Sequence, residues 1–238
     1  MLILHIETST AVCSVAVSDD HRCVFSREDR GCGTPAHATR LGPYVEEALG
    51  YVDSSGGRLD AVAVSRGPGS YTGLRIGVSM AKGVCFGRGV PLIGVPTLQV
   101  LCVQPLLYTD DMPDDALLCP MIDARRMEVY AAVYDRALRE VRATQADIVS
   151  ADTYADYLQE HTVYFIGQGA DKCRSVISHP HARFLTDVYP SARWMIPLAE
   201  KALLRGETED VAYFEPFYLK DFIAGKPHNP LTQLTINK

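Results

Sequence analysis

Ser65-Arg66-Gly67-Pro68-Gly69-Ser70-Tyr71-Thr72-Gly73-Leu74-Arg75-Ile76-Gly77 is the stretch whose reading decides the fold. It joins an apolar run, Ala61 to Val64, to a segment of helical character that continues to Phe86. Pro68 suits the first central position of a turn, and Gly69 suits a following position of positive φ. Ser70 or Thr72 can then cap the helix. Amides at a helix start attract anions, so phosphate binding is one reading of the turn. The Gly-Lys-Ser/Thr ending of a P-loop is missing, as is the spacing of a dinucleotide fingerprint. A purely structural turn is the other reading.

The helix after the turn is apolar on most sides. Leu74, Ile76, Val78, Met80, Ala81, Val84, Cys85 and Phe86 surround it, and only Arg75, Ser79 and Lys82 form a polar stripe. A helix with so little polar surface is buried on more than one side. Gly73, Gly77 and Ala81 recur every four residues, so one ridge is almost bare of side chains. An interior glycine costs about 1 kcal/mol relative to alanine, so Gly77 and Gly83 together forgo about 2 kcal/mol. Close approach of another backbone would offset that loss. The ridge can be covered by its own domain, or the helix can pack on its own sheet and on a second protein.

The 238-residue chain is long enough for one large domain or two lobes with an ample core. Its 47% apolar and 22% charged residues are the balance of an ordinary soluble globule. A net charge of −6 argues against tight nucleic-acid binding by this chain alone, with Arg125-Arg126 a local basic pair. Cysteines 13, 23, 32, 85, 102, 119 and 173 form no Cys-x-x-Cys pair and mostly sit in apolar runs. There a reduced thiol behaves as a small hydrophobe. The odd count, without a signal peptide, predicts a reducing cytoplasm rather than a disulfide framework. No apolar run reaches membrane-spanning length.

Outward from the glycine-rich stretch, the chain reads as two related α/β lobes. Leu2 to Thr8, Val12 to Val17 and Arg22 to Ser26 form a strand meander, and Gly31 to Pro35 is a loop. A helix from Ala36 to Leu49 keeps Leu41, Val45, Ala48 and Leu49 at helical spacing. Leu59 to Val64 and Pro91 to Val95 are strands flanking the glycine-rich helix, and Thr97 opens another helix. The pattern restarts with strands Leu117 to Ile122 and Glu128 to Tyr134, with a third beginning at Val141 to Ala143. A helix over Ala151 to Glu160, a strand over Val163 to Ile166 and a helix over Ser191 to Leu204 follow. The reading divides the chain into an N-terminal lobe (1–102), a C-terminal lobe (103–214) and a closing segment (215–238), with its last ten residues mobile.

An acid ends the first strand of each lobe, Glu7 and Asp123. Together with Thr8, Ser9 and Thr10, such a pair could hold magnesium against a nucleotide in an inter-lobe cleft. The competing reading is that these groups only terminate strands and bond their turns. His37 stands alone, His179 and His181 flank Pro180, and no run supplies two metal ligands on one helical face. Ser70 lies outside a Gly-x-Ser-x-Gly elbow. A hydrolase triad assembled from residues remote in sequence stays open.

Five segments then carry a family resemblance. They are Ile6-Glu7-Thr8-Ser9, the Ser65–Gly77 stretch, Gly94-Val95-Pro96-Thr97-Leu98, Asp123-Ala124-Arg125 and Pro216-Phe217-Tyr218-Leu219, in that order. Together they resemble the bacterial TsaB (YeaZ) family of tRNA threonylcarbamoyladenosine biosynthesis proteins, across essentially the whole chain. The resemblance implies a two-lobe fold of the actin, sugar-kinase and heat-shock ATPase class (ASKHA, ribonuclease H-like), with duplicated mixed-sheet lobes. It also implies a part in attaching threonylcarbamoyl to the adenosine beside the tRNA anticodon.

In that family the sister protein TsaD carries the transfer site, with a His-x-x-x-His pair helping to hold its metal. The matching segment here, Thr97-Leu98-Gln99-Val100-Leu101, has no histidine. The resemblance therefore implies a non-catalytic subunit without a metal of its own. Its partners would be TsaD, bound through N-lobe helices, and the P-loop ATPase TsaE; a homodimer would use the same surface when the chain is alone. The implied interface is His37, Leu41, Val45, Gly73, Leu74, Ile76, Gly77, Met80, Ala81 and Val84. The cleft at Glu7, Thr8, Ser9 and Asp123 would keep at most a weak ATP or ADP site with magnesium, and tRNA would be met only through the complex. Relatives typically carry aspartate at position 7, where this chain has glutamate. The alternatives are an ATP-binding or metal-dependent glycoprotease-like hydrolase working in the cleft, and a stand-alone tRNA-binding module.

Overall fold

The computed structural model describes residues 1–31 and 36–220. The loop read over Gly31 to Pro35 and the tail read as mobile lie wholly or mostly outside the described residues. Three antiparallel strands open the chain: β1 (Leu2–Glu7), β2 (Cys13–Asp19) and β3 (Arg22–Asp29). Helix α1 (Ala36–Ser54) follows, then β4 (Ala61–Gly67), α2 (Tyr71–Arg88), β5 (Leu92–Pro96) and α3 (Thr97–Tyr108). The second half repeats the plan with β6 (Leu117–Asp123), β7 (Glu128–Tyr134), β8 (Glu140–Ile148), α4 (Ala155–Glu160) and β9 (Val163–Ile166). It closes with α5 (Gln168–Cys173), β10 (Ala182–Leu185), a 3-10 turn (Ala192–Met195) and α6 (Ile196–Leu204).

The duplication is exact at the level of strand order. One sheet runs β3-β2-β1-β4-β5 and the other β8-β7-β6-β9-β10. In each, the first three strands form the antiparallel meander and the next two add in parallel. Alternation along β1 sends Leu4 and Ile6 to the face covered by α1 and α2, and Ile3 to the face covered by α3, Met195 and Ala199.

Helix α3 lies between the sheets. Val100 joins the first-sheet core, while Leu98, Leu101 and Cys102 join the second. This explains a helix without a polar face. The division at residue 102 therefore falls inside a helix that both lobes share. Residues 192–204, read as part of the C-terminal lobe, pack beneath the first sheet instead.

Other boundaries also differ. Helix α1 runs to Ser54, with Val52 buried beside Val45 and Ala48. Strand β8 extends to Ile148, and only residues 155–160 of the helix read from Ala151 form. Neither α5 nor β10 was expected, because each is too short to show a period. The chain after α6 crosses both lobes: Glu209 bridges Leu92, and in the closing segment the Phe217 amide donates to the Arg66 carbonyl and Lys220 pairs with Glu128.

Candidate functional site

The glycine-rich turn docks on its own chain. Gly67, not Gly69, takes the positive φ (106°), and the Gly67–Pro68 peptide is cis. Ser70 is the cap, its side chain accepting from the Gly73 amide at 3.3 Å. The Ser70 amide donates to the Ser9 carbonyl at 2.6 Å. A Cβ on Gly69 would overlap Ser9, one on Gly73 the Thr8 carbonyl, and one on Gly77 the Thr8 hydroxyl. The bare ridge is thus the seat of the β1–β2 turn. This corrects its assignment to a partner: Gly73, Gly77, Ala81 and Leu74 are buried by intrachain atoms. The Ser70 amide, the donor that a phosphate would have used, is already spent on Ser9.

The same packing closes the polar site. Glu7, Thr8 and Ser9 have no exposed surface. Glu7 Oε1 accepts from the Ser9 amide at 2.6 Å and from the Ser65 hydroxyl at 3.0 Å, while Oε2 has no partner among the described residues. Burial pushes the Glu7 carboxyl above the ordinary carboxylate range, against those hydrogen bonds. Thr8 donates to the Gly73 carbonyl at 2.8 Å. Asp123 is exposed, accepts from the Arg125 amide at 2.9 Å and pairs with Lys172. A magnesium–nucleotide held between Glu7 and Asp123 does not fit this arrangement, since Glu7 is wholly buried and its Oε1 is bonded to Ser9 and Ser65, while Asp123 is exposed. Thr97 and Leu101, at the ends of the segment compared with a histidine pair, are buried core residues.

The open feature lies on the flank of α2 that faces α1. A groove of about 1060 Å³ runs between α1 and α2, lined by Leu49, Ile76, Ser79, Met80, Gly83 and Gly87 among others. Gly83 and Gly87 have open space where a Cβ would stand. Phe86, three residues after Gly83, is 88% exposed. At one end Arg88 makes a bidentate pair with Asp53 at 2.7 and 2.8 Å, and Arg75 donates to the Tyr71 hydroxyl at 3.0 Å.

Of the expected interface, Ile76 and Met80 stand half-buried on this groove, and Val45 and Val84 form its nearly buried floor. Leu41 is in the core, and His37 bonds the Val12 carbonyl at 3.0 Å. Gly42, Glu46, Leu49, Gly50, Ser79, Gly83 and Gly87 also line the groove and lie outside the expected interface set. Gly83 and Gly87 repeat the four-residue spacing of the sheet-facing ridge along a neighbouring stripe of the helix.

The family described as tRNA N6-adenosine threonylcarbamoyltransferase (TsaD) matches residues 33–227. A tRNA threonylcarbamoyladenosine biosynthesis protein TsaB from Escherichia coli (strain K12) is 30% identical over 238 aligned residues, covering 95% of this chain and 97% of that one. The chain belongs to the TsaB (YeaZ) family. A Haemophilus influenzae TsaB is 26% identical, covering 95% of this chain and 96% of its own. YeaZ from Pseudomonas aeruginosa superposes with a TM-score of 0.74 at 26% identity, covering 92% of this chain and 99% of that one. The two sheets of identical strand order are duplicated α/β lobes, in a fold that the YeaZ structure shares. The chain accordingly has a role in tRNA threonylcarbamoyladenosine biosynthesis. Among the described residues no helix is long and apolar enough to cross a membrane.

Proposed function

We propose that the chain is a non-catalytic subunit that binds a TsaD transferase through the α1–α2 groove, with TsaE docking on the pair. The observation that supports this is the groove itself: an apolar trough between two helices, near a phenylalanine that is 88% exposed, on helices whose sheet-facing stripes are already committed to the core. Facing glycines at 83 and 87 let a partner helix approach closely. The subunit acts by binding one state of TsaD better than another, which shifts its population. The same face pairs two copies when TsaD is absent. Glu7, wholly buried and bonded to Ser9 and Ser65, lends no support to an ATP-dependent or peptidase-like reading, although one similar Pseudomonas aeruginosa structure is described by its similarity to peptidase YeaZ.

The test is sedimentation of the purified chain with TsaD from the same organism. Gly83→Leu and Gly87→Leu, whose new side chains meet open space in the isolated chain, should each abolish the complex without lowering the melting temperature of the isolated chain by more than about 2 °C. Undiminished association in both variants would remove the groove from the interface.

A further inference from the structure

A second cavity, of about 700 Å³, opens where β5 and α6 meet the turn between β7 and β8. We infer that it is a phosphate-binding basin, in which Arg66, Lys201 and Arg205 receive the oxygens of a nucleotide unit. The cavity has the size of a small-molecule site. In a chain of net charge −6 it gathers four cations, Arg66, Arg139, Lys201 and Arg205, against two carboxylates, Glu207 and Glu209. Val95, Pro96 and Leu198 give it an apolar wall against which a base or ribose can lie.

The cations differ in how they are held. Arg139 is fixed by Asp135, whose Oδ2 accepts from its Nε at 2.6 Å. Arg205 meets Glu207 only at 3.7 Å, with both side chains about 60% exposed, a pair of little strength. Arg66 and Lys201 have no carboxylate partner among the described residues. Their backbones are nevertheless anchored. The Arg66 carbonyl accepts the Phe217 amide at 2.7 Å, and the Arg205 amide bonds the Lys201 and Ala202 carbonyls. Lys201 and Arg205, four apart across the end of α6, share one face. Unpaired cations on fixed supports around a cavity suit an anion that brings its own oxygens.

Two sources supply that chemistry: a free nucleotide, or a phosphodiester of an RNA strand. The RNA source rests on the tRNA-modification reading; the phosphate chemistry does not. The full chain should be titrated with ATP by calorimetry and with a fluorescent RNA hairpin by anisotropy, at two salt concentrations. Arg66→Gln and the double variant Lys201→Gln/Arg205→Gln should weaken binding by about five-fold or more, and each lost cation should reduce an RNA salt slope by about one. Arg174→Gln, an exposed cation elsewhere, should bind as the parent. Binding of RNA alone identifies a strand phosphate, and binding of ATP alone a free nucleotide; either upholds the basin. Failure of both probes at millimolar concentration, or basin variants that bind like the parent, overturns it. Sedimentation of the same variants with TsaD keeps the proposals apart, because their TsaD complex should persist.

Discussion

The backbone amide of Ser70 donates to the carbonyl of Ser9 at 2.6 Å, tying the start of α2 to the turn after β1. Three glycines make this contact sterically feasible, since a Cβ at 69, 73 or 77 would strike Ser9 or Thr8. The cost of glycine in a helix is offset inside the chain, by packing against that turn. The two faces of α2 consequently have different work. One is closed on β1 and the sheet, and the other is left open along Ile76, Met80, Gly83 and Gly87.

That division predicts opposite effects for the same substitution. Gly73→Ala forces a methyl onto the Thr8 carbonyl, and overpacking of this kind costs about 1–3 kcal/mol. Gly83→Ala meets nothing within 4 Å and should gain about 0.5–1 kcal/mol of helix stability. Urea unfolding of both variants measures the difference. A Gly73→Ala protein as stable as the parent would show that the turn does not bear on α2 as described.

The sequence pattern disclosed the strands of both lobes except β10, Ser70 as one of two candidate caps, and α1 and α2 as helices. It did not disclose which stripe of α2 is the open one. Glycine and alanine carry no mark of what will cover them, and the Gly73-Gly77-Ala81 ridge differs from Gly83-Gly87 only through Thr8 and Ser9, which are remote in sequence. The residues around them held the answer: Val78, Ala81 and Cys85 share the ridge's side and are the apolar stripe a sheet requires. Glu7 was legible as a strand-ending acid but not as a buried one, because its burial depends on tertiary neighbours such as Ser65, 58 residues away. The contribution of residues 192–204 to the first lobe was hidden for a related reason, since a helix at the end of a repeat carries no sign of which sheet it will cover.

His5 makes folding sensitive to acid. It is fully buried, 2.9 Å from the Ser18 hydroxyl, and burial lowers its pKa from 6.5 to about 3. Between those values the unfolded chain binds the extra proton, so stability falls as pH falls. At pH 5 the loss attributable to this ring is about 2 kcal/mol. Comparing pH 7 with pH 5, His5→Gln should shrink the parent's loss by about that amount, whatever its stability at pH 7. An unchanged difference in denaturant unfolding would assign the acid sensitivity elsewhere.

Glu7 acts in the opposite sense. Its carboxyl is raised by burial, so the folded chain holds a proton that the unfolded chain has released above about 4.5. Stability due to Glu7 is therefore full below that value and declines as pH rises through the folded pKa. Glu7→Gln removes the ionisation and should gain on the parent progressively as pH rises from about 4.5 through the raised folded pKa. A constant offset between the two unfolding curves across that range would refute the assignment.

Lys82 offers a test of the closing segment. Its ammonium leaves the polar stripe of α2 to donate to the Ala212 and Phe214 carbonyls at 3.0 and 2.9 Å. The chain then runs to Phe217, whose amide bonds Arg66 and whose carbonyl crowds Gly67. Lys82→Met keeps the apolar stem and removes both charge-assisted bonds, at a cost of about 1–2 kcal/mol. Because the segment has few buried contacts of its own, that loss should appear first as local opening rather than global unfolding. Hydrogen exchange at the Phe217 amide should accelerate by about ten-fold or more, the ratio that about 1.4 kcal/mol produces. Exchange at core strand β4 should stay as in the parent. If Phe217 exchanges at the parental rate, the segment is held by its strand-like pairing with Arg66 and Leu92, and the lysine contributes only surface charge.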